Sequence, residues 1–173
     1  METALIESEG FDYISTASSR ILILGSLPGK RSLEQRQYYA HPRNLFWKIM
    51  NSLFGVVIGD SYDERISSLK EKGIALWDVC AAAARSGSLD NAIVASSVVP
   101  NQFIRFFREH PQIELICFNG KKAETLYRRL VLPKLPQEMQ LIRTATLLST
   151  SPANARHGFE AKRSQWAAAV SRD

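Results

Sequence analysis

The sequence predicts an α/β fold, a three-layer sandwich around a central four-stranded, mostly parallel sheet. Three observations lead there. Four short runs rich in branched residues, at 21–24, 74–79, 113–118 and 141–148, read as strands. Their apolar character is nearly continuous rather than alternating, which requires a sheet covered on both faces. Helical patterns fall between them, so strand and helix alternate along the chain.

Taken in order, the first strand at 21–24 runs into a Gly-Ser-Leu-Pro-Gly turn. A helix over 44–54 follows, with Leu45, Phe46, Ile49, Met50 and Leu53 on one face and Gly55 as its stop. The next helix, 62–72, ends at Gly73 ahead of the second strand. A helix over 101–109 is closed by His110-Pro111 and precedes the third strand, and helices over 121–130 and 159–170 complete the pattern. With no internal repeat, low-complexity segment or long linker, residues 1–173 are expected to form one domain, with 1–19 an N-terminal extension packed on it. Ligands of such sheets bind beyond the carboxyl ends of the strands.

Composition narrows the function classes. The hydrophobic fraction of 45% and charged fraction of 23% are those of a soluble globular chain. No apolar stretch approaches the roughly 18 residues of a membrane span. The first ten residues carry Glu2, Glu7 and Glu9 without the basic start of a secretory signal, so a cytoplasmic location is expected. A formal net charge of +5 suits a polyanionic partner. Cys80 and Cys117 fit no zinc spacing and cannot supply the four thiolates of an iron–sulfur cluster. Both are expected to be reduced core thiols. No metal, nucleotide or flavin is implied.

Three constellations carry the chemistry, and each has a plainer reading. Gly25-Ser26-Leu27-Pro28-Gly29 permits close backbone approach to a ligand, or merely turns a strand into a helix. It is not a dinucleotide fingerprint, and Asn119-Gly120-Lys121-Lys122 is not a P-loop, because Leu115 stands at the motif's first glycine and Lys122 at its Ser or Thr. The second segment, Gln37-Tyr38-Tyr39-Ala40-His41-Pro42-Arg43-Asn44, leads into Leu45-Phe46-Trp47, and Asn44 there is an ordinary helix N-cap on its own terms. The third is Asp78 at the end of an apolar strand, a costly place for a carboxylate unless it is paired or used.

The glycine loop, the Tyr-Tyr-Ala-His-Pro-Arg-Asn-Leu-Phe-Trp stretch and Ser149-Thr150-Ser151-Pro152-Ala153-Asn154 together resemble the uracil-DNA glycosylase superfamily, and within it the hypoxanthine-DNA glycosylase branch. The segment from His41 to Lys48 is also similar to the mismatch-specific uracil-DNA glycosylases. The resemblance spans roughly residues 20–170. It implies a monofunctional glycosylase that flips a deaminated base out of double-stranded DNA and hydrolyses its glycosidic bond, acting as a monomer without cofactor.

The same resemblance implies roles. Many superfamily members carry a catalytic Asp or Asn in the first loop, where this chain has Leu27, and a His in a later loop, where this chain has Leu148 to Pro152 without one. In the hypoxanthine branch the Asn of His-Pro-x-Asn takes over, here Asn44. Gly25, Ser26, Leu27, Tyr39, Asp78 and Asn119 are the expected base pocket, with Tyr39 stacking on the base and the Asp78 carboxylate accepting its ring N–H. A carboxylate there would reject adenine, whose N1 is itself an acceptor. Lys121, Lys122, Ser149, Ser151, Asn154 and Arg156 are the expected DNA contacts, although exposed basic residues often only solvate. His41 is expected to be a structural loop histidine. Within this reading a mismatch-specific uracil-DNA glycosylase is the alternative, and two rivals from other classes remain open, a lesion-binding protein that has lost catalysis and a small-molecule α/β enzyme.

Overall fold

A computed structural model describes residues 4–87 and 89–171. Along the chain these form β1 (Ile6–Glu9), β2 (Ile21–Gly25), α1 (Lys30–Gln35), α2 (Phe46–Phe54), α3 (Tyr62–Glu71), β3 (Ile74–Asp78) and β4 (Cys80–Arg85). They continue as β5 (Val99–Pro100), α4 (Phe103–Glu109), β6 (Leu115–Asn119), α5 (Lys121–Leu130), α6 (Gln137–Gln140), β7 (Arg143–Leu147) and α7 (Phe159–Val170).

The main sheet has the order β3-β2-β6-β7, and all its pairings are parallel. Alternate residues of β2 explain the three layers. Leu22 and Leu24 join one core cluster with Phe103 and Phe106 of α4 and Leu126 and Tyr127 of α5. Ile23 joins the other, with Phe46, Ile49 and Met50 of α2, Leu69 of α3 and Trp166 of α7. Both faces of the strands are therefore buried, as their unbroken apolar runs require. Phe46, Phe106 and Trp166 are fully buried, and a side chain of this kind contributes roughly 1.5–3 kcal/mol by leaving water.

Helix ends follow local chemistry. Gly55 adopts φ +69° and caps α2 through its N–H to the Asn51 carbonyl, and Gly73 at φ +72° ends the turn after α3. The first helix of the sequence reading begins two residues later than expected, at Phe46, because the Asn44 side chain caps it from outside.

The sequence reading missed a second, antiparallel sheet of order β1-β4-β5. Val79 alone separates β3 from β4, and the register of β4 with β1 pairs Ile6 with Arg85 and Glu9 with Ala82. An alanine run reads as a helix former, and here pairing on both sides of β4 overrides that propensity. Residues 10–14 bind the same region: Gly10 N–H donates to the Ala81 carbonyl, and Ile14 and Leu76 exchange N–H···O bonds of 2.8 Å each. Cys80 and Cys117 are buried and unpaired. Among the described residues no helix is long and apolar enough to cross a membrane, and no three metal-ligating side chains cluster.

Candidate active site

A cleft of about 880 Å³ crosses the carboxyl ends of the parallel strands. The turn after β2, the segment from Tyr38 to Asn44, Asp78, Leu89 to Asn91, Asn119 and the loop from Ser149 to Asn154 line it. It thus gathers Gly25, Ser26, Leu27, Tyr39, Asn44, Asp78, Asn119, Ser149, Ser151 and Asn154 from the sequence reading. Lys121, Lys122 and Arg156 are outside its lining.

Strand pairing fixes the floor. Gly25 sits beside Asp78 in the parallel register, the Gly25 carbonyl accepts from Val79 N–H at 2.9 Å, and the Ser26 carbonyl accepts from Cys80 N–H at 3.0 Å. A Cβ on Gly25 would collide with Asp78 Oδ1 and stand 3.1 Å from the Tyr39 hydroxyl. Gly25→Ala is therefore expected to push the carboxyl aside and cost about 1–3 kcal/mol of stability, as overpacking does, measurable by urea unfolding. A parental unfolding midpoint would show that the floor is not tightly packed. Leu27 is buried against the core and offers no polar group.

Tyr39 holds φ +54°, a conformation rare for a bulky residue and costly unless its surroundings impose it. One face of its ring stacks on Phe46, with centroids 4.1 Å apart, so only the other face can meet a ligand. Its hydroxyl is buried without a hydrogen bond of good geometry, and burial followed by the Asp78 charge pushes its pKa well above the tyrosine range, with Asn119 opposing the rise.

Asp78 is 4% exposed, and its Oδ2 has no partner. Burial, reinforced by the charge of Asp90 and opposed by Arg85, pushes its pKa up to about 7. The carboxylate of the sequence reading therefore competes with its protonated form near neutral pH. A neutral acid can turn its O–H toward adenine N1, so exclusion of adenine does not follow from Asp78 alone. Two orphaned polar groups at one cleft, the Tyr39 hydroxyl and Asp78 Oδ2, mark a place for a polar ligand or water.

Asn44 lines the cleft and caps α2 at once: its Oδ1 accepts from Phe46 N–H at 2.9 Å. That bond fixes the side chain and uses one lone pair of Oδ1, leaving the second and both N–H donors for a ligand. His41 Nδ1 accepts from Arg43 N–H at 3.1 Å, a loop-bracing contact. Asn119 spans to the opposite loop, donating Nδ2–H to Thr150 Oγ1 and accepting from Thr150 N–H, each at 2.9 Å.

The loop after β7 is tied down on every side. Leu45 N–H donates to the Thr150 carbonyl at 3.0 Å, and Asn154 Nδ2 to the Ser149 carbonyl at 3.2 Å. From beneath, Lys162 of α7, only 2% exposed, donates to the Asn154 carbonyl at 2.9 Å. Trp166 donates to the Leu148 carbonyl at 3.1 Å, and Gln165 accepts from Leu148 N–H. Lys121 and Lys122 open α5 as expected, but Lys121 forms an ion pair of 2.7 Å with Glu124. Arg156 is exposed.

Sequence reasoning gave no role to Asp90 or Arg85. Asp90 lines the cleft and accepts a 2.6 Å hydrogen bond from the Ser26 hydroxyl. Burial raises its pKa, while the Ser26 bond, Arg85 and Lys122 oppose the rise. Arg85 is 1% exposed at the end of β4, donates to the Pro28 carbonyl, and has no partner for Nε or Nη1. The signal for it was an arginine closing an alanine strand, legible only once β4 is known to be a strand.

These features define a doubly wound α/β protein with a ligand cleft across the carboxyl ends of its sheet. The chain belongs to the Uracil DNA glycosylase superfamily, which it matches over residues 11–173. It is 36% identical to a Hypoxanthine DNA glycosylase of Methanosarcina barkeri over 168 residues, covering 96% of this chain and all of that protein. It is 39% identical to a Hypoxanthine DNA glycosylase of Methanosarcina acetivorans over 115 residues, 66% of this chain and 72% of the relative. A solution NMR structure of a candidate uracil DNA glycosylase from Methanosarcina acetivorans superposes with a TM-score of 0.78 at 35% identity, covering 94% of this chain and 96% of that one.

Proposed function

We propose that this chain is a monofunctional DNA glycosylase that flips hypoxanthine out of duplex DNA and hydrolyses its glycosidic bond, leaving an abasic site. The observation that carries the reading is the convergence of Tyr39 and Asn44 of one segment with Asp78 of another in one cleft of a chain related over 96% of its length to a Hypoxanthine DNA glycosylase. The glycosidic bond of a stacked base is out of reach, and a deaminated base, pairing poorly, leaves the stack at lower cost.

The free face of Tyr39 stacks on the flipped base, an interaction typically contributing about 1–3 kcal/mol. Asp78 meets the ring N–H and carbonyl edge that hypoxanthine presents. Backbone N–H groups of the 25–29 loop stabilise the charge that develops on the departing base. The remaining lone pair of Asn44 Oδ1 and its amide donors hold the attacking water below the anomeric carbon. Ser149, Ser151 and Asn154 contact the strand at the lesion, and Lys121, Lys122 and Arg156 meet phosphates farther out. No step calls for a cofactor, and one copy of the chain holds the whole site.

Uracil shares the N–H and carbonyl edge, so Asp78 does not separate the two bases, and the preference for hypoxanthine rests on the relatives. Labelled duplexes carrying hypoxanthine, uracil or only normal bases, incubated in EDTA and then treated with alkali, test both points. Cleavage at hypoxanthine, undiminished by EDTA and weakening steeply with salt as phosphate contacts require, is the expected result. Preferential cleavage at uracil would make the chain a uracil glycosylase. Lesion-selective binding without any abasic site would make it a sensor.

A further inference from the structure

We propose that Asp90 is a positioning residue that keeps Asp78 in its neutral form, so that Asp78 donates a hydrogen bond to the carbonyl oxygen of the departing base. This rests on the glycosylase reading and concerns a group for which the sequence offered no role.

The chemistry of departure sets the requirement. When the bond between C1′ and N9 of the purine breaks, its electron pair goes to the base, and part of that charge reaches the ring carbonyl oxygen. Water then bonds to C1′ and releases the proton that finally neutralises the base. An ionised carboxylate at the carbonyl edge would oppose that charge. A carboxylic acid supports it, with its O–H donating to the carbonyl oxygen and its own carbonyl accepting the ring N–H. The proton stays on Asp78 throughout.

The geometry places two carboxyls on one dipeptide. Asp78 packs against Gly25, and Asp90 accepts from the hydroxyl of the next residue, Ser26, at 2.6 Å. Both line the same cleft. Two acids held by neighbouring residues in one buried wall each raise the cost of ionising the other, so they do not both ionise readily. Their surroundings decide which one keeps its proton. Asp90 has the Ser26 hydroxyl and the charges of Arg85 and Lys122 to favour its anion. Asp78 Oδ2 has no donor, and the groups that face it are Asp90, Arg85, Cys80 and the hydroxyls of Tyr38 and Tyr39. Of these only Arg85 carries a positive charge, and it forms no ion pair with Asp78. The negative charge therefore settles on Asp90 and the proton on Asp78.

The test is the pH profile of single-turnover base release from a hypoxanthine duplex, with substrate binding saturated. The parental rate is expected to fall as pH rises through neutrality, when Asp78 loses its proton. Asp90→Asn removes the neighbouring charge, so the fall should begin about one pH unit lower, and above both midpoints the variant should be about tenfold slower than the parent. Ser26→Ala, a milder change, weakens the Asp90 anion and should move the fall in the same direction by less. Asp78→Asn, whose amide donates at every pH, should show no fall at all. Parental profiles in both folded Asp90→Asn and Ser26→Ala, or a parental rate that rises with pH, would overturn the proposal. Absence of base release at every pH would instead sink the glycosylase reading, which separates the two failures.

Discussion

Asn44→Ala is expected to slow base release at least about a hundredfold, the scale of losing one positioned polar group from a water-excluded site. The same change removes a cap from α2 and should lower stability by about 1 kcal/mol. These effects can be separated because Asn44 uses its Oδ1 on Phe46 N–H while the rest of the amide remains for the cleft. Serine is as good a cap as asparagine but carries no amide. Asn44→Ser should therefore unfold in urea at the parental midpoint and still show the catalytic defect in single-turnover assays. If Asn44→Ser retained full activity, Asn44 would be a cap and nothing more.

Asp78→Asn is expected to stabilise the fold by about 2–4 kcal/mol at pH 8, because each unit of pKa shift corresponds to about 1.4 kcal/mol. The folded-state pKa, pushed up to about 7 mainly by burial, stands above the ordinary 3.8. Between those values the folded chain holds a proton that the unfolded chain has released, so stability falls as pH rises and the penalty is complete above about 7. Below the unfolded value Asp78 is neutral in both states, and the variant should gain nothing there. Urea unfolding of both proteins at pH 3 and pH 8 measures the difference. A gain equal at the two pH values would mean that packing, not charge, distinguishes the side chains.

Such a cost fits a group kept for its chemistry rather than for the fold, and it bears on how much the sequence disclosed. The main sheet was legible because burial on both faces leaves no polar residue in strands such as Leu22 to Leu24, and α5 and α7 were legible to their last residues. β4 was hidden because four successive alanines carry neither alternation nor bulk, and α1, Lys30–Gln35, because it buries only Ser32. The cleft shared that limit. Residues in loops after long apolar strands, such as Asn44 and Asp78, could be placed from pattern and resemblance. Arg85 and Asp90 could not, since their placement depends on the second sheet and on the Ser26 contact. The double duty of Asn44, capping while lining the cleft, was likewise out of reach, because the sequence presented those roles as alternatives.

The loop from Leu148 to Asn154, bolted to α7 by Lys162, Trp166 and Gln165 and to β6 by Asn119, is braced as a template rather than hung as a jaw. A template does not close on what it receives. For the proposed substrate, the work of fitting then falls on the nucleic acid, which must bend and part its strands to match a preset contour. Damage would be sorted by pliancy as well as by hydrogen-bonding edges: a weakly paired site yields to the mould, and a sound one springs back before the base reaches the cleft.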